Sequence, residues 1–108
     1  MTNYKTNTKA MTIKEIRQQL ENSDKPIAKS FHIGEKFKVL LFGFKKGMKL
    51  VDHKAKHHTK LLVIEGDLIY HKEREDIRLK QYDEVDIPAN HPHSLGALKD
   101  SLVLLTQG

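Results

Sequence analysis

The segment LLVIEGDLIY, residues 61–70, consists of two apolar stretches that are separated by Gly66. Stretches rich in Leu, Ile and Val are typical of β-strands whose side chains are largely buried. A glycine inside such a pattern often marks a bulge or a sharp bend, because it has no side chain and tolerates unusual backbone angles. We therefore predict two short strands with a change of direction at Gly66.

The β pattern continues on both sides of this segment. Residues 37–44 (FKVLLFGF) and 101–106 (SLVLLT) are apolar at odd and even positions alike, which predicts strands buried on both faces. Residues 76–80 and 84–87 alternate between apolar and charged side chains, as half-buried strands do. Short strands at this spacing predict an all-β barrel or sandwich, and the lack of long helical segments between them argues against a Rossmann-like sheet.

The N-terminal part of the chain has a different pattern. Residues 1–10 are polar and are expected to form a frayed end or an arm. A short helix should follow, with Thr12 as its N-cap and Glu15 as the capping-box partner. The apolar residues that share one face of this helix are Ile13, Ile16 and Leu20. This face, or else a second subunit, would cover the outer side of the strand at residues 37–44.

Composition excludes several classes of function. The chain has 108 residues, a formal net charge of +5 and no cysteine, which fits one domain without disulfides, thiol catalysis or thiolate metal sites. Lysines are scattered among acidic residues and no Arg-rich tract is present, so the charge indicates a solvated surface and no nucleic-acid partner. Without a signal-like start or a long apolar run, we expect a cytoplasmic protein with no membrane partner.

Six of the seven histidines lie between positions 53 and 93. Outside position 32 they are His53, His57, His58, His71, His91 and His93. Because side chains alternate along a strand, His53 and His57 can share a face. If the segments around positions 53 and 93 are neighbours in a barrel, His53, His57 and His93 can converge on a metal that keeps open positions. Alternatively, these histidines are solvated or hold loops by hydrogen bonds.

The spacing of these residues resembles the two sequence motifs of the cupin family. In the first motif, Gly47, His53 and Gly66 keep the register, whereas Ala55 and Thr59 stand where the second His and the Glu belong. Cupins that bind metal use three His and one Glu. The resemblance therefore carries over only part of the first motif's ligand set.

The second cupin motif is matched by Pro88 and His93. Tyr82 and Asn90 stand at its two glycine positions, and Ala97 stands at the position of its Asn. Asn is among the few residues other than glycine that adopt the left-handed backbone conformation readily. The turn at Asn90 should therefore persist without a glycine.

The resemblance spans residues 35–106 and implies an all-β cupin fold, the double-stranded β-helix or jelly-roll barrel, with a short N-terminal helix. It divides the chain into an arm and helix at residues 1–30 and a single RmlC-like barrel domain at residues 31–108. Small cupins usually pair through apolar strands, so the resemblance also implies a homodimer.

The ligand set that the resemblance implies is incomplete, because only His53 and His93 match by position. His57 can supply a third imidazole if the strand stays regular beyond His53, and His58 can replace it if the strand bulges. Without the Glu, such a site favours a divalent transition metal, namely zinc, nickel, copper or iron.

Three functions stay open at this point. The first is a cupin barrel that binds a small molecule with His53, Thr59 and His93 as polar points on an apolar wall. The second is a divalent-metal-dependent enzyme of the dioxygenase or isomerase type, in which His53, His57 and His93 hold the ion. The third is a metal-free acid–base enzyme with His53 or His93 as the base.

Overall fold

The computed structural model of the protein describes residues 3–6, 9–53 and 56–108, except for the side chains at positions 52 and 53. Within these residues, one helix precedes nine strands. The elements are α1 (Thr12–Leu20), β1 (Ile27–Ile33), β2 (Lys38–Phe44), β3 (Lys49–His53), β4 (Thr59–Glu65), β5 (Asp67–Lys72), β6 (Glu75–Lys80), β7 (Glu84–Ile87), β8 (His93–Ala97) and β9 (Ser101–Gln107).

The strands form two antiparallel sheets that pack face to face. One sheet has the order β1-β2-β9-β4-β7 and the other has the order β3-β8-β5-β6. The core between them is apolar and fully buried, and it includes Phe44, Leu61, Val63, Leu68, Tyr70, Ile87, Leu95 and Val103. The predicted all-β barrel of two packed sheets with one short helix is therefore confirmed.

Gly66 is the point at which the chain passes from one sheet to the other. β4 ends at Glu65 in the five-stranded sheet, and β5 begins at Asp67 in the four-stranded sheet. The pairing of β4 with β9 shifts register between Val63 and Glu65, and Gly66 has a φ of +115°. The predicted change of direction is confirmed, and it is a corner of the barrel rather than a bend within one sheet.

β2 and β9 lie side by side at the middle of the five-stranded sheet, and both are covered on both faces. Their outward side chains Leu41 and Leu102 form a second buried cluster with Ile16 and Leu20 of α1. Gly43 lies directly beneath the helix, where an added Cβ would be 2.3 Å from the Ile16 Cγ2. The helix of the same chain is therefore the cover that these strands need.

The prediction of Thr12 as the helix N-cap is wrong. Met11 occupies the N-cap position, no side chain caps the helix there, and Thr12 is already the first helical residue. Glu15 lies in the first turn, and its carboxylate approaches the Lys29 ammonium on β1 at 3.4 Å. Glu15 thus links α1 to β1 and does not cap the helix, and β1 straddles the predicted boundary at residue 30.

Two glycine positions of the second cupin motif keep their turn geometry without glycine. Asn90 has a φ of +64°, as expected for a residue that tolerates the left-handed region. Tyr82 has a φ of +69°, and its amide donates to the Val63 carbonyl at 2.7 Å. Its side chain is exposed, so the strained backbone is held by this hydrogen bond and not by side-chain packing.

Candidate functional site

A small cavity lies at one end of the barrel between the two sheets, and we call it the barrel cavity. Two of its polar residues stand at strand ends, since Thr59 begins β4 and His93 begins β8. His53, the last residue of β3, is the backbone partner of His93. The cavity has a volume of about 80 Å³ and is lined by Leu40, Phe42, Leu50, Thr59, His93, Leu105 and Gln107.

His93 is buried, and the backbone holds its ring in one orientation. Its Nδ1 lies 3.2 Å from the His91 carbonyl oxygen. Because a carbonyl can only accept, Nδ1 must donate, and in the neutral ring Nε2 then carries a free lone pair. The Tyr70 ring meets the imidazole edge-on at 6.0 Å, and burial raises the pKa of the Tyr70 phenol. His93 therefore offers a hydrogen-bond acceptor beside a neutral aromatic ring.

Thr59 occupies the position of the cupin Glu, and it makes this side of the cavity uncharged. Its side chain is buried, and Oγ1 donates to the His57 carbonyl at 3.2 Å. The single hydroxyl proton is thereby used, so Thr59 can offer only lone pairs to a ligand. Thr59 Oγ1 and the neutral His93 Nε2 are thus acceptors, and Gln107 adds an amide that can donate and accept.

His57 and His58, the two candidate ligands between β3 and β4, are exposed outside the barrel cavity. His57 lies in a bend at residues 56–57 and not in a strand, so strand alternation does not place it on the face of His53. His57 is exposed and lines a surface groove with Phe37 and Gly108. His58 is exposed too, with Nε2 3.6 Å from the Asp86 carboxylate.

The predicted His53, His57 and His93 metal set stays a prediction, because the side chain of His53 and all of Ala55 lie outside the described residues. Among the residues that are described, no three His, Asp or Glu side chains stand close enough to hold a metal. Two of the cupin ligand positions hold Ala55 and Thr59. Ala55 has no atom that can bind a metal, and the Thr59 hydroxyl already donates a hydrogen bond to a carbonyl. Two imidazoles alone do not fit a catalytic site that uses three protein ligands.

Gln107 is a cavity residue that the sequence analysis missed. It is the backbone partner of Thr59, because β9 pairs with both β2 and β4. The predicted strand at residues 101–106 stopped one position too early. Alternation along β9 carries the inward face from Val103 through Leu105 to Gln107, and that periodicity was the available signal.

An ion pair between a buried carboxylate, Asp67, and a largely exposed guanidinium, Arg78, stabilises the corner at Gly66. Asp67 is 5% exposed and accepts hydrogen bonds from Arg78 Nε at 3.0 Å and Nη2 at 2.7 Å. These hydrogen bonds hold the pKa of the Asp67 carboxyl below its usual value, against the opposing effect of burial. The pair joins β5 to β6 across one face of the four-stranded sheet.

The low pKa of Asp67 predicts an acid-dependent loss of stability. A carboxyl with a lowered folded-state pKa stabilises the fold fully above its unfolded pKa of about 3.9, and loses this effect as the pH falls through the folded value. In urea titrations, the free energy of unfolding of wild type should exceed that of Asp67→Asn by a constant amount near neutral pH. Below about pH 4 this difference should shrink. Repeating the comparison in Arg78→Gln should abolish this trend; an unchanged trend there would contradict the assignment.

Known protein structures share this architecture, although no family model and no curated protein matches the sequence. An RmlC-like cupin from Desulfovibrio desulfuricans is 22% identical, covers 98% of this chain and 94% of its own, and superposes with a TM-score of 0.71. A cupin superfamily protein from Desulfitobacterium hafniense is 16% identical, covers 80% and 79%, and has a TM-score of 0.74. The chain has the cupin fold.

The cupin fold here also matches one part of a larger enzyme. A salicylate 1,2-dioxygenase from Pseudoaminobacter salicylatoxidans aligns with 89% of this chain at 15% identity and a TM-score of 0.82, but over only 33% of the dioxygenase chain. At these identities the likeness establishes the fold alone. No helix within the described residues has the length and apolar character that crossing a membrane requires.

Proposed function

We propose that this cupin-fold chain binds a small uncharged molecule in the barrel cavity, around His93 and Thr59 and beside His53. The observation that carries the proposal is a cavity with an apolar wall and two oriented hydrogen-bond acceptors. Ligand sites in proteins commonly combine an apolar lining with a few placed polar groups.

The size of the barrel cavity restricts the ligand. Its volume is about 80 Å³, whereas a cavity that accepts benzene measures about 150 Å³ and drug-sized ligands need about 300 Å³ or more. One water takes up about 30 Å³ in the liquid, so the cavity has room for a molecule of a few heavy atoms. This excludes an aromatic acid as the occupant of the cavity in its described form.

The polarity of the barrel cavity restricts the ligand further. Leu40, Phe42 and Leu105 supply apolar surface, and none of the described lining residues carries a formal charge when His93 is neutral. Because His93 Nε2 and Thr59 Oγ1 both accept, the ligand should donate a hydrogen bond. Short alcohols and primary amides have this chemistry.

Amide chemical shifts test the proposal directly. We expect 2-propanol and acetamide to shift resonances of residues around the barrel cavity, above all Leu50, His93 and Leu105. Thr59→Val keeps the side-chain volume but removes the hydroxyl, and it should weaken binding about five- to tenfold. His91→Ala is the matched control, because it keeps the carbonyl that orients His93. Shifts spread over the surface, or equal affinity in Thr59→Val, would contradict the proposal.

The metal-dependent alternative makes a different prediction for the same preparation. Protein purified without a metal-affinity column should contain no stoichiometric zinc, nickel, copper or iron, since the described residues supply only His93 as an imidazole in the cavity. A stoichiometric metal that is lost in His53→Ala and His57→Ala would instead support the dioxygenase or isomerase reading.

We also propose that the chain forms a symmetric homodimer through β1. This strand is an edge of the five-stranded sheet, and its side chains from Ser30 to Ile33 are exposed. Phe31 and Ile33 are each 59% exposed. Antiparallel pairing of two copies centred on Ser30 would place Ile27 opposite the partner's Ile33 and would bring no two like charges together.

Light scattering tests the dimer. Wild type at micromolar concentration should show twice the mass of a 12.5 kDa chain, and Ile33→Lys should shift it to the monomer. Val51→Lys is the matched control, because Val51 is also 59% exposed but lies on β3 of the other sheet. A monomeric wild type would refute the dimer, and dissociation by Val51→Lys alone would refute the β1 interface.

A further inference from the structure

The four-stranded sheet carries a groove on the side that faces away from the core, and we call it the outer groove. Tyr70 and Leu95 point into the core, so the alternating neighbours Ile69, His71 and Gly96 face outward. The outer groove has a volume of about 330 Å³, four times that of the barrel cavity. Its lining includes Met48, Lys49, Ile69, His71, Gly96 and Leu98.

Gly96 forms the floor of the outer groove. It lies on β8 between Lys49 of β3 and Ile69 of β5, and both are its backbone partners. A Cβ at Gly96 would meet only the His71 Nε2 at 3.8 Å and the Lys49 Cγ at 3.9 Å. These are ordinary van der Waals distances, so the missing side chain leaves a notch that a ligand atom can fill.

His71 presents one ring nitrogen to this notch. Its Nδ1 lies 2.7 Å from the Asp76 Oδ1 on the neighbouring strand β6. A carboxylate accepts, so Nδ1 donates to it, and the opposite nitrogen Nε2 faces the Gly96 notch. A protonated His71 donates through Nε2 into the outer groove while Asp76 balances its charge.

Lys49 flanks the notch on the other side and brings a positive charge. Among the described residues the Lys49 ammonium has no carboxylate partner. On the same sheet, Asp67 forms an ion pair with Arg78, and Asp76 pairs with His71. None of the residues that line the outer groove is acidic. The polar end of the groove is therefore suited to an anion.

The remaining walls of the outer groove are apolar. Met48, Ile69 and Leu98 contribute them, and Leu98 is 40% exposed although it is a large apolar residue. We propose that the outer groove is a second ligand site, which binds a carboxylate with an apolar body between Lys49 and His71. Such a molecule is too large for the barrel cavity, so the two sites take different ligands.

Benzoate is the probe for this site, and benzyl alcohol is its uncharged counterpart. Isotope-labelled wild type should show benzoate-dependent shifts at Ile69, His71 and Gly96 on the outer sheet face. The Cβ of Gly96→Val would lie at ordinary van der Waals distances and its methyl groups would occupy the notch, so this variant should weaken benzoate binding at least tenfold. Lys49→Gln should weaken it about fivefold, whereas Lys60→Gln on the other sheet should not change it.

The outcomes separate this site from the barrel cavity and from a merely apolar groove. Benzyl alcohol should bind at least fivefold more weakly than benzoate, and equal binding would refute the carboxylate specificity. Benzoate shifts centred on Thr59 and His93, or undiminished binding in Gly96→Val, would refute the site. Chemical denaturation of Gly96→Val at wild-type stability would show that its loss of binding is not a loss of fold.

Discussion

Replacing Gly66 with alanine should destabilise the fold by about 3 kcal/mol, because the new residue would have both an unfavourable backbone conformation and a steric clash of its Cβ. Gly66 has a φ of +115°, a backbone conformation that residues with a Cβ rarely adopt. In addition, the new Cβ would lie 2.1 Å from the Ser101 Oγ and 2.6 Å from the Ser101 Cα. The second of these is a backbone atom, so no side-chain rotation can relieve the clash.

The hydrogen bonds of Ser101, which lies beside Gly66, should add to the destabilisation that the alanine substitution causes. Ser101 Oγ accepts the Asp67 amide at 3.1 Å and donates to the Lys99 carbonyl at 2.8 Å. These hydrogen bonds tie the start of β5 to the start of β9, at the corner where the chain changes sheets. Moving Ser101 to admit a methyl group would therefore break buried hydrogen bonds as well.

Gly47→Ala is the control for the Gly66 experiment. Gly47 has a φ of +89°, but an added Cβ there would meet nothing within 4 Å. Only the backbone cost applies, so urea unfolding should show a loss of about 1 kcal/mol. Equal losses for the two variants would mean that the contact with Ser101 costs nothing, and would contradict the proposed role of the corner.

The corner at Gly66 also shows why much of the fold could be predicted from sequence. A glycine between two apolar stretches indicates a backbone conformation that other residues rarely adopt. The structure has the predicted change of direction at this glycine, Gly66. Asn90 is the same kind of case, since a residue that tolerates positive φ stands at a required turn. Such features depend on a few adjacent residues, which the sequence displays directly.

The strand β1 was not fully predicted because its alternation of apolar and polar residues is interrupted. In β1 the pairing with β2 shifts between Ser30 and His32, so Phe31 has no backbone partner in the ladder. The bulge inverts the alternation of faces halfway along the strand, and periodicity then matches neither face. A strand at the sheet edge also exposes most of its side chains, so its apolar residues do not follow a buried face.

The site was less predictable than the fold because it depends on where strands end and on which strands meet. The shared face of His53 and His57 required a strand that includes His57, but His57 lies in a bend. Gln107 reaches the barrel cavity because β9 inserts between β2 and β4, which is a long-range pairing. Alternation along β9 can place Gln107 on the inward face, but the spacing of nearby residues does not show which strands that face meets.

Truncating Ile16 to alanine should cost about 2–5 kcal/mol, which makes it the counterpart of the Gly66 change on the outside of the barrel. Ile16 is fully buried, and it packs with Leu41 and Leu102 of the central strands. Its loss leaves a void beneath α1 and weakens the only element of the described chain that covers this sheet face. Urea unfolding should show the loss, and Lys14→Ala on the exposed side of α1 should stay within about 0.5 kcal/mol of wild type.

A double-mutant cycle with Gly43 distinguishes close packing from a general weakening of the helix. Gly43→Ala alone should cost about 1–3 kcal/mol, since its Cβ would lie 2.3 Å from the Ile16 Cγ2 and 2.9 Å from the Leu20 Cδ1. Ile16→Ala removes the nearer of these atoms, so the second substitution should cost less in that background. We expect the double variant to be more stable than the sum of the single losses by at least about 0.5 kcal/mol. Strict additivity would mean that α1 does not rest on Gly43 through Ile16, and the glycine would then need another explanation.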